Sequence, residues 1–97
     1  MATKKADNKM IDELFGLIAS LHSVEDCKKL FYDLCTVKEI EQMAQRIKAA
    51  KLLMEGKTYQ RVREECDISS ATLSRVSRCV QYGEGYSEFL RKDYESN

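Results

Sequence analysis

Apolar positions recur along most of the chain at intervals of three and four, the spacing of a one-sided helix. Met10, Ile11, Leu14, Phe15, Leu17, Ile18 and Leu21 begin the series. They crowd more than one face, so the first predicted helix needs apolar partners on two sides. Val24, Cys27, Leu30, Phe31 and Leu34 share one face of a second helix, opened by a weak capping box of Ser23 and Asp26. Thr36 and Glu39 form a stronger box ahead of the longest helix. Its apolar side carries Val37, Ile40, Met43, Ala44, Ile47, Ala50, Leu53 and Met54, and Gly56 supplies a left-handed stop.

Beyond Gly56 the apolar residues thin out without losing register. Tyr59, Val62 and Cys66 fall three and four apart, Ile68 stands alone between Asp67 and Ser69, and Leu73, Val76 and Val80 resume the period. Two short helices joined by so brief a turn cross steeply, and each buries only the stripe that faces its neighbour. The pattern predicts a helix-turn-helix at about residues 58–82, with Thr58 capping its first helix and Ile68 plugging the corner. Gly83-Glu84-Gly85 closes the second helix, and Tyr86, Phe89, Leu90 and Tyr94 can line one face of a short sixth. Residues 1–9 read as a flexible polar segment and residues 10–97 as a single helical domain.

Composition agrees with an all-α fold: 97 residues, 43% hydrophobic, contain no Pro, no Trp and four Gly, too little turn punctuation for an all-β domain. A core built from so short a chain is marginal for a monomer, which with the wide apolar arc of the first helix points to an oligomer. Sixteen basic and sixteen acidic residues cancel, so any field that draws a charged partner is local. Residues 57–82 hold Lys57, Arg61, Arg63, Arg75 and Arg78 against Glu64, Glu65 and Asp67, whereas the tail is acidic. Cys27, Cys35, Cys66 and Cys79 form no CxxC pair, and three of them fit apolar helical faces, as reduced thiols do in the cytoplasm. The longest uncharged stretch, Leu14 to Val24, is 11 residues, too short to span a bilayer. His22 is the single histidine and has no nucleophile at a telling spacing, so no enzyme and no metal or other cofactor is expected.

The second helix of the motif opens with Ser69, Ser70, Ala71 and Thr72, small residues that cap a helix and let it approach a surface closely. Double-stranded DNA fits that surface. Amides and hydroxyls there can bond phosphates, Ala71 and the Thr72 methyl can touch thymine methyls, and Arg61 can bond guanine through two hydrogen bonds. Lys57, Arg75 and Arg78 supply positive charge for phosphate. The competing reading is an αα-hairpin in a helical protein-interaction module that binds no specific DNA. The tyrosines at 59, 82, 86 and 94 could stack on bases but fit helix packing better.

The segments CTVKEIEQMAQR, in which Thr36 to Arg46 lie, LLMEGKTYQR, and ATLSR at 71–75 resemble the Trp repressor family, with spacing closest to its YerC/YecD subgroup. The likeness spans roughly residues 10 to 90 with about one residue of slippage in the turn. It implies an intertwined homodimer of six-helix subunits that reads two symmetric half-sites about 34 Å apart. Gln60 and Arg61 match the start of the family's first motif helix, where the arginine reaches a base edge; Ala71, Thr72 and Ser74 match the DNA-facing side of the recognition helix. Thr36, Arg46 and Arg75 match the residues that hold the family's amino-acid corepressor. The glycine that follows the second arginine in the Trp repressor is Val76 here, which fills the indole slot. A small-molecule corepressor, if one binds, is therefore expected to be something other than tryptophan.

Overall fold

The computed structural model describes residues 5–91, and its regular elements are all helical: α1 (Asn8–Ala19), α2 (Val24–Leu34), α3 (Val37–Met54), α4 (Tyr59–Glu65), α5 (Ser70–Tyr82) and a π-helical turn, α6 (Tyr86–Leu90). Two compact units divide near Thr36. The expectations for residues 1–4 and for Tyr94 lie outside the described residues.

Side-chain caps set most of the helix starts. Asp7 accepts a hydrogen bond from the Met10 amide at 2.9 Å, so α1 begins at Asn8, two residues ahead of its first apolar position. Ser23 Oγ accepts from the Asp26 amide at 3.0 Å, Thr58 Oγ1 from the Arg61 amide at 3.2 Å, and Ser69 Oγ from the Thr72 amide at 3.2 Å. Each such cap satisfies an amide that has no partner inside the helix and is worth about 1 kcal/mol. Ser69 is thus the cap of α5 and stands just outside it, where the sequence placed it as the first residue of the helix.

In the N-terminal unit no residue of α1 or α2 is buried. Met10, Phe15 and Val24 are 58%, 62% and 70% exposed, far more apolar surface than an isolated helix pair leaves in water.

The C-terminal unit holds the core. Ala49, Ala50 and Leu52 of α3 pack with Val62, with Cys66 at the end of α4, and with Leu73 and Val76 of α5. Ala49 and Ala50 are fully buried, and their small side chains let α5 approach the α3 backbone closely. Val62, Leu73 and Val76 are the largest fully buried side chains, each contributing about 1.5–3 kcal/mol by leaving water. Ile68, Val80, Tyr86 and Leu90 close the margin.

Two glycines have structural reasons. Gly56 takes φ +87° at the exit of α3, a left-handed conformation that side chains disfavour. At Gly83 a Cβ would stand 2.7 Å from the Cys79 carbonyl oxygen, so any side chain there collides with the last turn of α5. The sixth helix departs from expectation. Its wider π turn seats Tyr86 and Leu90 on the core but leaves Phe89 70% exposed, off the face the sequence assigned to it.

Candidate nucleic-acid interface

The turn between α4 and α5 follows from three anchors. The Cys66 amide donates to the Val62 carbonyl at 2.8 Å, and the Ile68 amide donates to the Cys66 carbonyl at 3.0 Å. Cys66 is buried and Ile68 half-buried, so the chain turns over its own core before Ser69 restarts the helix. Burial pushes the Cys66 thiol above its ordinary pKa; nearby Lys48 opposes the shift and Glu65 adds to it. A neutral, enclosed thiol of this kind packs as a small hydrophobe.

With Val62, Leu73, Val76 and Ser77 turned inward, most other positions of α4 and α5 face out. Gln60, Arg61, Ser70, Ala71, Ser74, Arg75 and Arg78 are exposed, as are Ser69 at the cap and Lys57 before α4; Thr72 is half-buried. The Thr72 hydroxyl accepts a hydrogen bond from Ser69 Oγ at 3.0 Å.

Gln60, Ser70 and Ser74 border one cleft of about 500 Å³ between α4 and α5. Arg63 and Tyr59 border it too. Arg63, part of the local positive charge but not among the expected site residues, follows Gln60 by three residues, a spacing that puts both on one face of α4.

Arg61 is not a free side chain. Its Nε donates to Glu65 Oε2 at 2.7 Å, one turn further along α4. Gln60 makes a longer parallel contact, Nε2 to Glu64 Oε1, at 3.5 Å. Lys57, Arg63, Arg75 and Arg78 form no ion pair with any described residue.

The two arginines matched to a corepressor site border the same cavity. Arg46 of α3 and Arg75 of α5 border a cavity of about 450 Å³ whose other walls are mainly apolar, among them Ile47, Val76, Cys79, Phe89 and Leu90. Val76 is one of those walls, 2% exposed and part of the core. Thr36 belongs to the N-terminal unit, exposed just ahead of α3, and has a polar partner of its own. Among the described residues no cluster of His, Cys, Asp and Glu could hold a metal ion, and no helix is long and apolar enough to cross a membrane.

Comparison with known proteins places this architecture. The family model described as Trp repressor protein matches residues 9–94. The chain is 46% identical over 83 residues to the uncharacterized protein YerC of Bacillus subtilis (strain 168), a match covering 86% of this chain and 80% of that protein. The crystal structure of a candidate Trp repressor from Staphylococcus aureus superposes with a TM-score of 0.84 at 41% identity, covering 94% of this chain and 93% of that one. A TrpR-like protein from Eubacterium eligens ATCC 27750 gives the same TM-score, 0.84, at 35% identity, covering 91% of this chain and 92% of its own. A family match over residues 9–94, joined to a six-helix subunit with this helix-turn-helix, makes the chain a member of the Trp repressor family, in its YerC-like branch.

Proposed function

We propose that the protein is a sequence-specific double-stranded DNA-binding transcriptional regulator, a repressor, that works in the cytoplasm as a homodimer and by binding rather than by catalysis. The observation that carries this reading is the division of α5. Leu73, Val76 and Ser77 are buried, while Ser70, Ala71, Ser74, Arg75 and Arg78 stand exposed on a helix that Ser69 caps. A recognition helix needs that division: a rigid buried side, and an outer side short enough to enter a major groove. Arg61 supplies a base contact, Gln60 and Ser74 flank it, and Lys57, Arg75 and Arg78 meet phosphates.

The uncovered apolar residues of α1 and α2 support the homodimer. A second copy that covers them sets two recognition helices for successive major grooves. Arg46 and Arg75 leave room for a small acidic effector, and Val76, which borders the same cavity, argues against tryptophan.

The experiment is selection from a randomised double-stranded DNA library by the full chain, followed by titration of the selected duplex against a scrambled one at several salt concentrations. A regulator enriches a two-fold symmetric sequence and binds it with a falling log affinity against log salt. A helical protein-interaction module enriches none.

A further inference from the structure

We propose that Glu65 is a positioning residue that sets the base selectivity of Arg61, an inference that rests on the DNA-binding reading above. Arg61 is the one cation among Lys57, Arg61, Arg63, Arg75 and Arg78 that a described carboxylate holds. The contact is short, 2.7 Å, and uses Nε of the guanidinium. Engagement through Nε fixes the plane of the group and occupies its side edge, which leaves the far edge, with one N–H from each terminal amino group, unused. Those two groups form the fork that bonds guanine O6 and N7.

Glu65 is well placed for this task. It is the last residue of α4, followed by buried Cys66, and its side chain is 32% exposed against 60% for Arg61. The carboxylate is thus the more enclosed partner and the guanidinium the more accessible one.

The pairing has two consequences on DNA. A free arginine attaches to whichever phosphate it reaches and adds affinity without sequence information. An arginine already neutralised by a carboxylate gains little there, and the carboxylate itself is repelled by the backbone. In register with a guanine, the fork still makes both hydrogen bonds. Glu65 therefore lowers affinity for all DNA and lowers it most for the wrong sequence, so that a repulsive element provides selectivity.

The test uses the wild type, Arg61→Ala, Glu65→Ala and Glu65→Gln as full chains, with duplexes selected by the wild type from a randomised library. Arg61→Ala first identifies the base position that depends on Arg61. Glu65→Ala is expected to bind a scrambled duplex several-fold more tightly, with a salt slope steeper by about 1.8 for the two phosphate contacts, one per subunit of the dimer, that Arg61 gains. Its discrimination at the Arg61-dependent position is expected to fall by about fivefold or more. Glu65→Gln keeps an oxygen acceptor for Nε without the charge, so it should share the steeper slope yet retain more of the discrimination than Glu65→Ala. A residue that merely stabilised α4 would move melting temperature alone. The proposal is overturned if the wild type selects a sequence and Glu65→Ala keeps both its base preference and its salt slope. If the wild type selects no sequence at all, the DNA-binding reading fails and this inference falls with it.

Discussion

Replacing Val76 with glycine probes the cavity that Arg46 and Arg75 border. Val76 is 2% exposed, belongs to the core, and borders the cavity that Arg46 and Arg75 share. Three buried carbons at about 0.8 kcal/mol each give about 2.4 kcal/mol of lost burial. Glycine inside α5 adds about 1 kcal/mol. Val76→Gly should therefore lose about 3–4 kcal/mol, a large share of the stability of a domain this small. The same deletion opens space for a flat ring beside the arginines. In the wild type an indole must displace the valine, at about 1–3 kcal/mol of overpacking, which weakens a ligand by about 5- to 150-fold. Isothermal titration with L-tryptophan, paired with thermal melts, reads both effects. The wild type should show no micromolar binding, whereas Val76→Gly should melt lower and regain stability as tryptophan is added, by about 2.7 kcal/mol at a hundred times its Kd. Val76→Ala, which removes two carbons, carries the melting comparison if the glycine variant does not fold. Micromolar tryptophan binding by the wild type that also tightens its hold on a selected duplex would refute the reasoning.

Three further outcomes are expected. Arg61→Ala should weaken binding to a selected duplex by about 1–3 kcal/mol and relax one base position, while Lys57→Ala should weaken all sequences alike and flatten the salt slope; identical profiles by anisotropy would erase this division. Cys66, whose pKa is raised by burial, favours the folded state while protonated; that advantage is full below the ordinary thiol pKa and is lost as pH rises from there through the folded value. Cys66→Ala should accordingly lose less melting temperature than the wild type on going to alkaline pH, and iodoacetamide should spare the native Cys66 thiol until the chain unfolds. Sedimentation equilibrium at micromolar concentration should return twice the 11.2 kDa chain mass, since a stable helical monomer would leave the exposed residues of α1 unexplained.

How much of this was legible in the sequence depends on the range of the interactions involved. Helix starts are local: Ser23 and Thr58 cap as their spacing implied, and Ser69 caps α5 one residue away from its expected place inside the helix. The left-handed Gly56 was equally readable, because a positive φ at a helix exit is the usual reason for that residue. The inward set Val62, Cys66, Leu73 and Val76 followed from period alone. Phe89 did not, since the sequence reading assumed an α-helical face and the chain takes a π turn after the close packing at Gly83. That Arg46 of α3 and Arg75 of α5 border one cavity was suggested by the family resemblance alone, as no local pattern relates residues 29 apart. The Arg61–Glu65 pair was available as an i, i+4 spacing, but reading Arg61 only as a DNA contact hid its neighbour.

The central claim is that the outer side of α4 and α5 reads duplex DNA, and the most direct test is the salt dependence of binding to a library-selected duplex against a scrambled one. The account predicts a selected sequence with two-fold symmetry and half-sites about 34 Å apart. It also predicts a log affinity that falls linearly with log salt for both duplexes, and a preference for the selected one that Arg61→Ala reduces. Enrichment of no sequence, together with an affinity for duplex DNA that salt leaves unchanged, would contradict it.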